Sequence, residues 1–531
     1  MERIAETIML SWGAKRRALA LLAGALAVLA LPPFNFFAVL FVSFPVLVWL
    51  LDGASGPAEA GFLGRLRPAF ATGWWFGFGY FVAGLWWLGN ALLMEAESFA
   101  WALPIAVLGL PAFLALFYGL AAAAARALWS DGIGRIASLS AAFGLAEFVR
   151  AYLFTGFPWN AIGYGAMPAP LMMQSSEIVG LYGMSALTVF VFSAPALVGT
   201  RRGAVPGIAL ALALFCAHVG YGWMMLADGA GPRDTSRAAV VRIVQPAIDQ
   251  SAKWDISERE RIFAQLLELS ALPPREGAPR PSHIIWPETA LPFLLTENPG
   301  ALSRMAEMLQ VGQTLITGAV RQEDGVGGKT RRFYNTIYAI DDEGQIIGSA
   351  DKAHLVPFGE YLPFEQLLRE YGLKPVADSF GGFSAADRRA LLSLPGGLNA
   401  VPLICYEAIF QRFSEIGDAR GDLLLNLTND AWYGLTPGPY QHLRQAQLRA
   451  VETRLPLVRA ANNGISVVTD SAGRIAGSLP LGEKGVFDVE LPPAGGSFWN
   501  NADRDINFGL TIVIMVFVAT FARRSKKFVS D

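Results

Sequence analysis

The sequence predicts two architectures in one chain: a membrane domain of eight transmembrane helices and an α/β domain held outside the bilayer. Three observations carry this prediction. Hydrophobic residues make up 53% of the 531 and charged residues only 16%, with a mean hydropathy of +0.39, far from a soluble average. The apolar residues gather in long runs, each able to cross roughly 30 Å of hydrocarbon as a helix. A polar stretch between the last two runs alternates short β-branched segments with helical ones, the pattern of an α/β domain.

Seven runs fill the membrane domain of residues 1–230, at about 12–31, 34–51, 70–92, 100–129, 135–155, 177–199 and 204–227. The eighth, at about 507–522, belongs to a C-terminal segment, 500–531, that ends in a basic tail. Lys15, Arg16 and Arg17 ahead of an Ala/Leu core imitate a signal peptide, but the spans behind that core make it an uncleaved anchor. Short loops rich in Lys and Arg stay cytoplasmic. Lys15 to Arg17 place the N-terminus inside, and alternate connections carry Arg65 with Arg67, Arg135, and Arg201 with Arg202. The intervening loops hold Pro32 and Pro33, then Glu95 and Glu97, then a stretch from Thr155 to Ser176 without Lys or Arg. Seven crossings put the polar domain outside, and the eighth returns the chain to Arg523, Arg524, Lys526 and Lys527 in the cytoplasm.

The polar domain spans about 236–495. Strand-like runs AAVVRIVQ, HIIWPE, TLITGAV, YNTIYAI, VPLICYE, DLLLNLTN and GISVVTD alternate with helical stretches such as SERERIFAQLLELSAL and YQHLRQAQLRAVETRL. Asp341-Asp342-Glu343-Gly344 and Asp470-Ser471-Ala472-Gly473 lie between strand-like runs and read as hairpin turns, so the sheets are expected to be mixed. The prolines at 273, 274, 279 and 281 mark a loop.

Composition also excludes several functions. A net charge of −2 gives no basic field for nucleic acid. Two cysteines, Cys216 in an apolar run and Cys405 in the polar domain, do not make a disulfide framework. No His, Cys, Asp or Glu spacing resembles a metal site, and no cofactor is called for.

Chemistry concentrates at strand ends. Cys405 ends the apolar run VPLI and precedes a helix-like AIFQRF, which puts its sulfur on a strand-to-helix turn. Main-chain N–H groups at a helix start lower a thiol pKa and can hold an oxyanion. A lone free cysteine is nevertheless more often a small core residue than a nucleophile. Glu288 stands where the strand HIIW has ended at Pro287, and a carboxylate beside a thiol can act as general base. Lys352, in SADKAHLVPFGEY, offers a cation for a thiolate and an oxyanion. Singly, a Pro-Glu or an isolated lysine reads as surface charge.

Taken in order, WPETAL, DKAHLVPFGEY and ICYEAIF resemble the Glu, Lys and Cys motifs of the nitrilase superfamily. The resemblance implies an αββα sandwich, with Glu288 as general base, Lys352 as oxyanion-stabilising cation, Cys405 as nucleophile, and Glu360 orienting Lys352. The segments AEFVRAYLFTGFPWNAIGY, QPAIDQSAKWD, YNTIYAI, HLVPFGEYLP and LTNDAWYG look like the apolipoprotein N-acyltransferase branch, over nearly the full chain. That likeness implies supporting roles for Tyr406 and Glu407, and a site lined or gated by Trp254, Asn335, Glu407 and Trp432. Without the likeness, a tryptophan near a membrane, as Trp254 and Trp432 are, reads first as a core or interfacial aromatic.

The family likeness implies two-step acyl transfer in the bacterial inner membrane, with the catalytic domain facing the periplasm. A membrane phospholipid would acylate Cys405, and the N-terminal amine of a diacylated lipoprotein would accept the acyl chain. The chain is expected to work as a monomer. The alternative is a membrane-anchored amidase of the same triad with water as acceptor; a transporter with an appended domain ranks behind both. Within the membrane domain, Glu147 and Arg150 lie three apart and are expected to pair, and His218 to bond a neighbouring helix.

Overall fold

The computed structural model describes all residues except 58, 95, 201–202, 228–238, 254, 325–330, 366–369, 371–381, 418, 498 and 526–531. Glu95, Arg201, Arg202, Lys526, Lys527 and the expected site residue Trp254 thus lie outside the described residues. The chain divides into two compact units. One comprises Met1–Gly89, Trp101–Ala227 and Trp499–Asp531, and the other Asn90–Ala100 and Asp228–Phe498.

The first unit is helical. Among the described residues six helices are long and apolar enough to cross a membrane: Phe62–Leu93, Ala100–Ala127, Ile133–Thr155, Ser176–Leu197, Ala204–Ala227 and Asn501–Arg524. The first two expected spans fold shorter, as Gly13–Ala27 with a 3-10 turn Val28–Ala30, and as Phe37–Asp52. Pro32 and Pro33 lie between them, and a helix cannot continue through that pair. The buried ionisable pair expected in this unit forms, and it has further partners. Glu147 pairs with Arg150, accepts the Tyr118 hydroxyl at 2.5 Å and takes the Ile162 N–H at 3.2 Å. Arg150 in turn donates to the Phe157 and Trp159 carbonyls, so the pair pins the 157–162 loop rather than standing free. His218 bonds Ser175 Oγ at 2.9 Å.

The second unit holds two six-stranded sheets. Its strands are β1 (Val240–Gln245), β2 (His283–Ile285), β3 (Thr314–Glu323), β4 (Arg332–Ile340), β5 (Ile346–Asp351) and β6 (Leu392–Leu394), followed by β7 (Leu398–Ile404), β8 (Leu423–Thr428), β9 (Leu457–Ala461), β10 (Ser466–Thr469), β11 (Ile475–Leu479) and β12 (Gly485–Glu490). The orders are β12-β1-β2-β3-β4-β5 and β11-β10-β9-β8-β7-β6. Each sheet has a parallel centre, β1-β2-β3 in one and β7-β8-β9 in the other, flanked by antiparallel strands. Two Asp turns close two of the antiparallel pairs. Asp341 Oδ1 accepts the Gln345 N–H at 2.8 Å, and Asp470 Oδ1 accepts the Ala472 N–H at 2.9 Å, closing the β4-β5 and β10-β11 hairpins.

Residue alternation packs the layers. Ile285 and Ile316 of the first sheet meet Ile404, Leu425 and Val458 of the second in one core. Their neighbours Ile284 and Leu315 face outward against Phe263, Leu266 and Met305 of helices Arg259–Ala271 and Pro299–Met308. On the far side Val401 and Leu403 face Ala446 and Ala450 of helix Pro437–Thr453. Central strands are thus covered on both faces, which is why they read as unbroken apolar runs.

Candidate active site

Three chain segments that follow β-strands bring Glu288, Lys352 and Cys405 together. Glu288 follows β2 on a segment clamped to β3: Ala290 N–H donates to Gly318 O at 2.8 Å, and Gly318 N–H to Pro287 O at 3.1 Å. Gly318 allows this approach, since a Cβ there would lie 2.7 Å from Glu288 Cα. Lys352 follows β5, and its N–H donates to Asn335 O at 2.8 Å. Cys405 follows β7 with φ +50°, in the left-handed region that a β-carbon disfavours.

Their side chains form one buried cluster. Lys352 Nζ lies 2.8 Å from Glu360 Oε1 and 3.7 Å from Glu288 Oε1. Asn335 Nδ2 donates to Glu288 Oε1 at 2.7 Å and to Glu360 Oε1 at 3.3 Å. The second Glu360 oxygen takes the Val356 N–H at 2.8 Å, so Glu360 is anchored to the backbone while it holds the lysine. Burial alone would lower the Lys352 ammonium, but the Glu360 and Glu288 carboxylates outweigh it and hold its pKa above the ordinary lysine value. Lys352 is therefore a fixed cation. Burial pushes the Cys405 thiol up, Glu288 adds to the rise, and Lys352 opposes it. The ground-state group is the thiol, and a thiolate forms only if a neighbouring base takes its proton. The lowered thiol pKa expected from a helix start does not prevail. After Cys405 the chain makes two short 3-10 turns, Cys405–Ile409 and Gln411–Phe413, in place of the expected helix, because Phe410 between them is extended.

Comparison with known proteins places the whole chain. Residues 23–194 match the model of the apolipoprotein N-acyltransferase N-terminal domain, and residues 237–501 that of carbon-nitrogen hydrolases. The apolipoprotein N-acyltransferase of Rhizobium etli (strain CIAT 652) is 57% identical over 528 residues, 98% of each chain. That of Agrobacterium fabrum (strain C58 / ATCC 33970) is 56% identical over 532 residues, 99% of this chain and all of the relative. The chain belongs to the apolipoprotein N-acyltransferase family. It is an acyltransferase, with a carbon-nitrogen hydrolase domain behind an N-terminal region of apolar helices.

In this acyltransferase the remaining expected residues take varied places. Glu407, buried and with its carboxyl pushed up by burial, accepts the Ile404 N–H at 2.8 Å on one oxygen and the Ala353 and His354 N–H groups at 2.8 and 3.0 Å on the other. Its contacts are therefore with the backbone of both loops. Tyr406 packs its ring parallel to His354, 5.8 Å between centroids, and edge-on to Phe410. Trp432 lies half-buried in the turn Asp430–Tyr433. Asn335 contacts both carboxylates directly.

Residues that sequence reasoning passes over lie close by. His442 Nε2 sits 3.1 Å from the Cys405 carbonyl oxygen, and its Nδ1 lies 2.8 Å from Asp430 Oδ1. Arg459 donates to Asp430 Oδ2 at 2.6 Å. Burial opposes ionisation of Asp430, yet Arg459 and His442 hold its carboxyl at about 2. Lys253 Nζ donates to Glu288 O at 3.1 Å and to Thr289 Oγ1 at 2.7 Å. Only a scarcity of histidines, four in the chain, marks His442 in sequence. Lys253 lies in the segment QPAIDQSAKWD, where nothing singles it out from its neighbours. Among the described residues no group of three His, Cys, Asp or Glu side chains is arranged to hold a metal ion.

Proposed function

We propose that this chain moves an acyl chain from a membrane phospholipid to the N-terminal amine of a diacylglyceryl-cysteine lipoprotein, through a thioester on Cys405. The observation that carries the reading is the placement of Lys352 Nζ between the Glu360 and Glu288 carboxylates, in electrostatic contact with Cys405. Glu288 takes the Cys405 proton, and the thiolate attacks the ester carbonyl. Lys352 stabilises the oxyanion. Collapse breaks the ester bond, and the leaving alkoxide takes the proton from Glu288 and departs as lysophospholipid. The lipoprotein amine then attacks the thioester, Glu288 accepts its proton, and the amide forms as the Cys405 thiolate leaves and is reprotonated. An α-amino group has a pKa near about 8, so a base is needed to keep the attacking amine neutral.

The membership of the family favours amine over water as acceptor, so the amidase reading is set aside. Two lipid-anchored reactants also explain an integral membrane enzyme. We read the two short N-terminal helices with the six long ones as eight crossings, with both termini cytoplasmic and residues 236–495 on the periplasmic side of the inner membrane; one copy supplies every proposed site residue. Purified protein given phospholipid and a diacylated lipopeptide is expected to yield an N-acylated lipopeptide and lysophospholipid by mass spectrometry. Free fatty acid without the acylated peptide would contradict the reading. For sidedness, a cysteine introduced at Ser384 is expected to react with an impermeant thiol reagent from outside, and one at Arg202 is not; the opposite pattern would overturn the topology.

A further inference from the structure

The acyl-transfer scheme leaves one buried lysine unused. Lys253 is 2% exposed, and its ammonium donates to the main-chain oxygen of Glu288 and to the hydroxyl of Thr289. Thr289 has φ +43°, a conformation that a β-branched residue adopts only when its surroundings impose it. Gly318 holds Pro287 and Ala290 from the β3 side, and Lys253 is a second grip on the two residues between them. Holding two neutral oxygens does not require a charge, and burying an ammonium for that purpose alone is costly. What the charge meets electrostatically is the Glu288 carboxylate and, once the proton has moved, the Cys405 thiolate.

Counting charges gives the reason. Lys352 and Glu360 form one close pair. A second negative charge resides on Glu288 at rest and on Cys405 once the proton has moved. Resting on the reading of Cys405 as nucleophile, we propose that Lys253 is the second cation of the active site, a positioning residue that clasps the Glu288–Thr289 backbone and balances the negative charge exchanged between Glu288 and Cys405. With it, the buried site stays neutral through the proton transfer; without it, the site carries an uncompensated negative charge that disfavours the thiolate. Burial lowers the Lys253 ammonium to about 8, against the raising effect of Glu288 and Cys405. It is therefore charged at neutral pH, and the balance is lost as pH rises through about 8.

The test uses the full-length enzyme in detergent, with Cys216→Ala removing the only other cysteine. Two rates are followed from pH 6 to 10: acylation of Cys405 by phospholipid alone, and alkylation of Cys405 by iodoacetamide. Lys253→Met is expected to unfold cooperatively, to slow acylation at pH 7 at least tenfold, and to slow alkylation by a similar factor below pH 8, where the wild-type lysine is charged. Lys253→Arg, which stays charged, is expected to retain acylation and to lose the wild-type decline above pH 8. A Lys253→Met enzyme with wild-type rate and profile would overturn the proposal, as would slowed acylation with an unchanged alkylation rate, the signature of a spacer without an electrostatic role. Should Lys253→Met fail to fold, Lys253→Arg decides: a decline above pH 8 identical to wild type overturns the proposal. Absence of an acylated Cys405 in wild type would refute the acyl-transfer reading instead, and the alkylation profiles would still report on Lys253.

Discussion

The main-chain N–H of Ala353 donates to the Glu407 carboxylate at 2.8 Å, although 54 positions separate the two residues. Since Glu407 also holds the N–H of Ile404, one buried side chain fixes the residue after Lys352 and the residue before Cys405. Glu407→Gln keeps the size but turns an NH2 group towards one of these donors, so one loop must let go. Thermal unfolding is expected to report a loss of about 1.5–3 kcal/mol, the worth of a hydrogen bond to a charged group. Single-turnover acylation of Cys405 should slow by roughly tenfold or more, about 1.4 kcal/mol at the barrier. Wild-type acylation in a folded variant would show that the loops hold without Glu407.

Glu360 differs from a surface carboxylate by its three partners: Lys352, Asn335 and the Val356 N–H. Glu360→Gln preserves the backbone contact and removes the charge that holds Lys352. Acyl transfer is expected to slow at least about tenfold with the fold intact. Undiminished turnover would remove Glu360 from the site.

Gly318 should behave as a catalytic-site position although it bears no functional group. An alanine methyl there would lie 2.5 Å from Thr289 N, 2.6 Å from Pro287 O and 2.7 Å from Glu288 Cα, all backbone atoms that cannot swing aside. Gly318→Ala is expected to cost about 1–3 kcal/mol of stability. Displacing Glu288 by about 1 Å can cost on the order of a hundredfold in rate, so activity should fall further than stability. Equal, small losses in both would show that the β3 clamp does not set the Glu288 position.

Asp430 gives a pH prediction with a definite sign. Its carboxyl stands at about 2 in the folded protein against an ordinary 3.8. The folded state therefore binds this proton later than the unfolded state. The ionised group contributes stability above about pH 4 that is lost as pH falls towards 2, on the order of 2–3 kcal/mol. Asp430→Asn is expected to lower the unfolding temperature at pH 7, with the gap to wild type narrowing between pH 4 and 2. A gap that stays constant over that range would show that Asp430 is not held ionised by Arg459 and His442.

What the sequence discloses and what it hides divide along physical lines. Strands buried on both faces, such as β3, β4, β7 and β8, announce themselves as apolar runs, and the Asp-Gly turns announce the hairpins. The partly exposed edge strands β5, β11 and β12 mix glycine and polar residues and show no such run. The motif residues Glu288 and Cys405 stand out because each follows an apolar strand, where side chains leave the sheet, whereas Lys352 follows the edge strand β5 and is marked only by its DKAHLVPFGEY motif. His442, Asp430, Arg459 and Lys253 act through main-chain oxygens or through each other. Asp430 and Lys253 lie inside family-like segments and His442 in a polar helix, but as single residues they read like solvated ones, and Arg459 in the strand β9 shows no sign in sequence of the Asp430 carboxylate it pairs with. The first two apolar runs fold as helices on either side of Pro32 and Pro33, the turn that the sequence places between them.

The most direct test is mass spectrometry of the purified enzyme incubated with phospholipid alone. Acylation of Cys405 needs only the donor and deacylation needs an amine, so an acyl mass is expected to accumulate on the peptide containing Cys405. Neutral hydroxylamine should remove it, and a diacylated lipopeptide should discharge it as an N-acylated product. Cys405→Ala should form neither species, and Cys405→Ser at most a slowly formed, hydroxylamine-resistant ester. An acyl mass on another residue, or wild-type product formation by Cys405→Ala, would contradict the account.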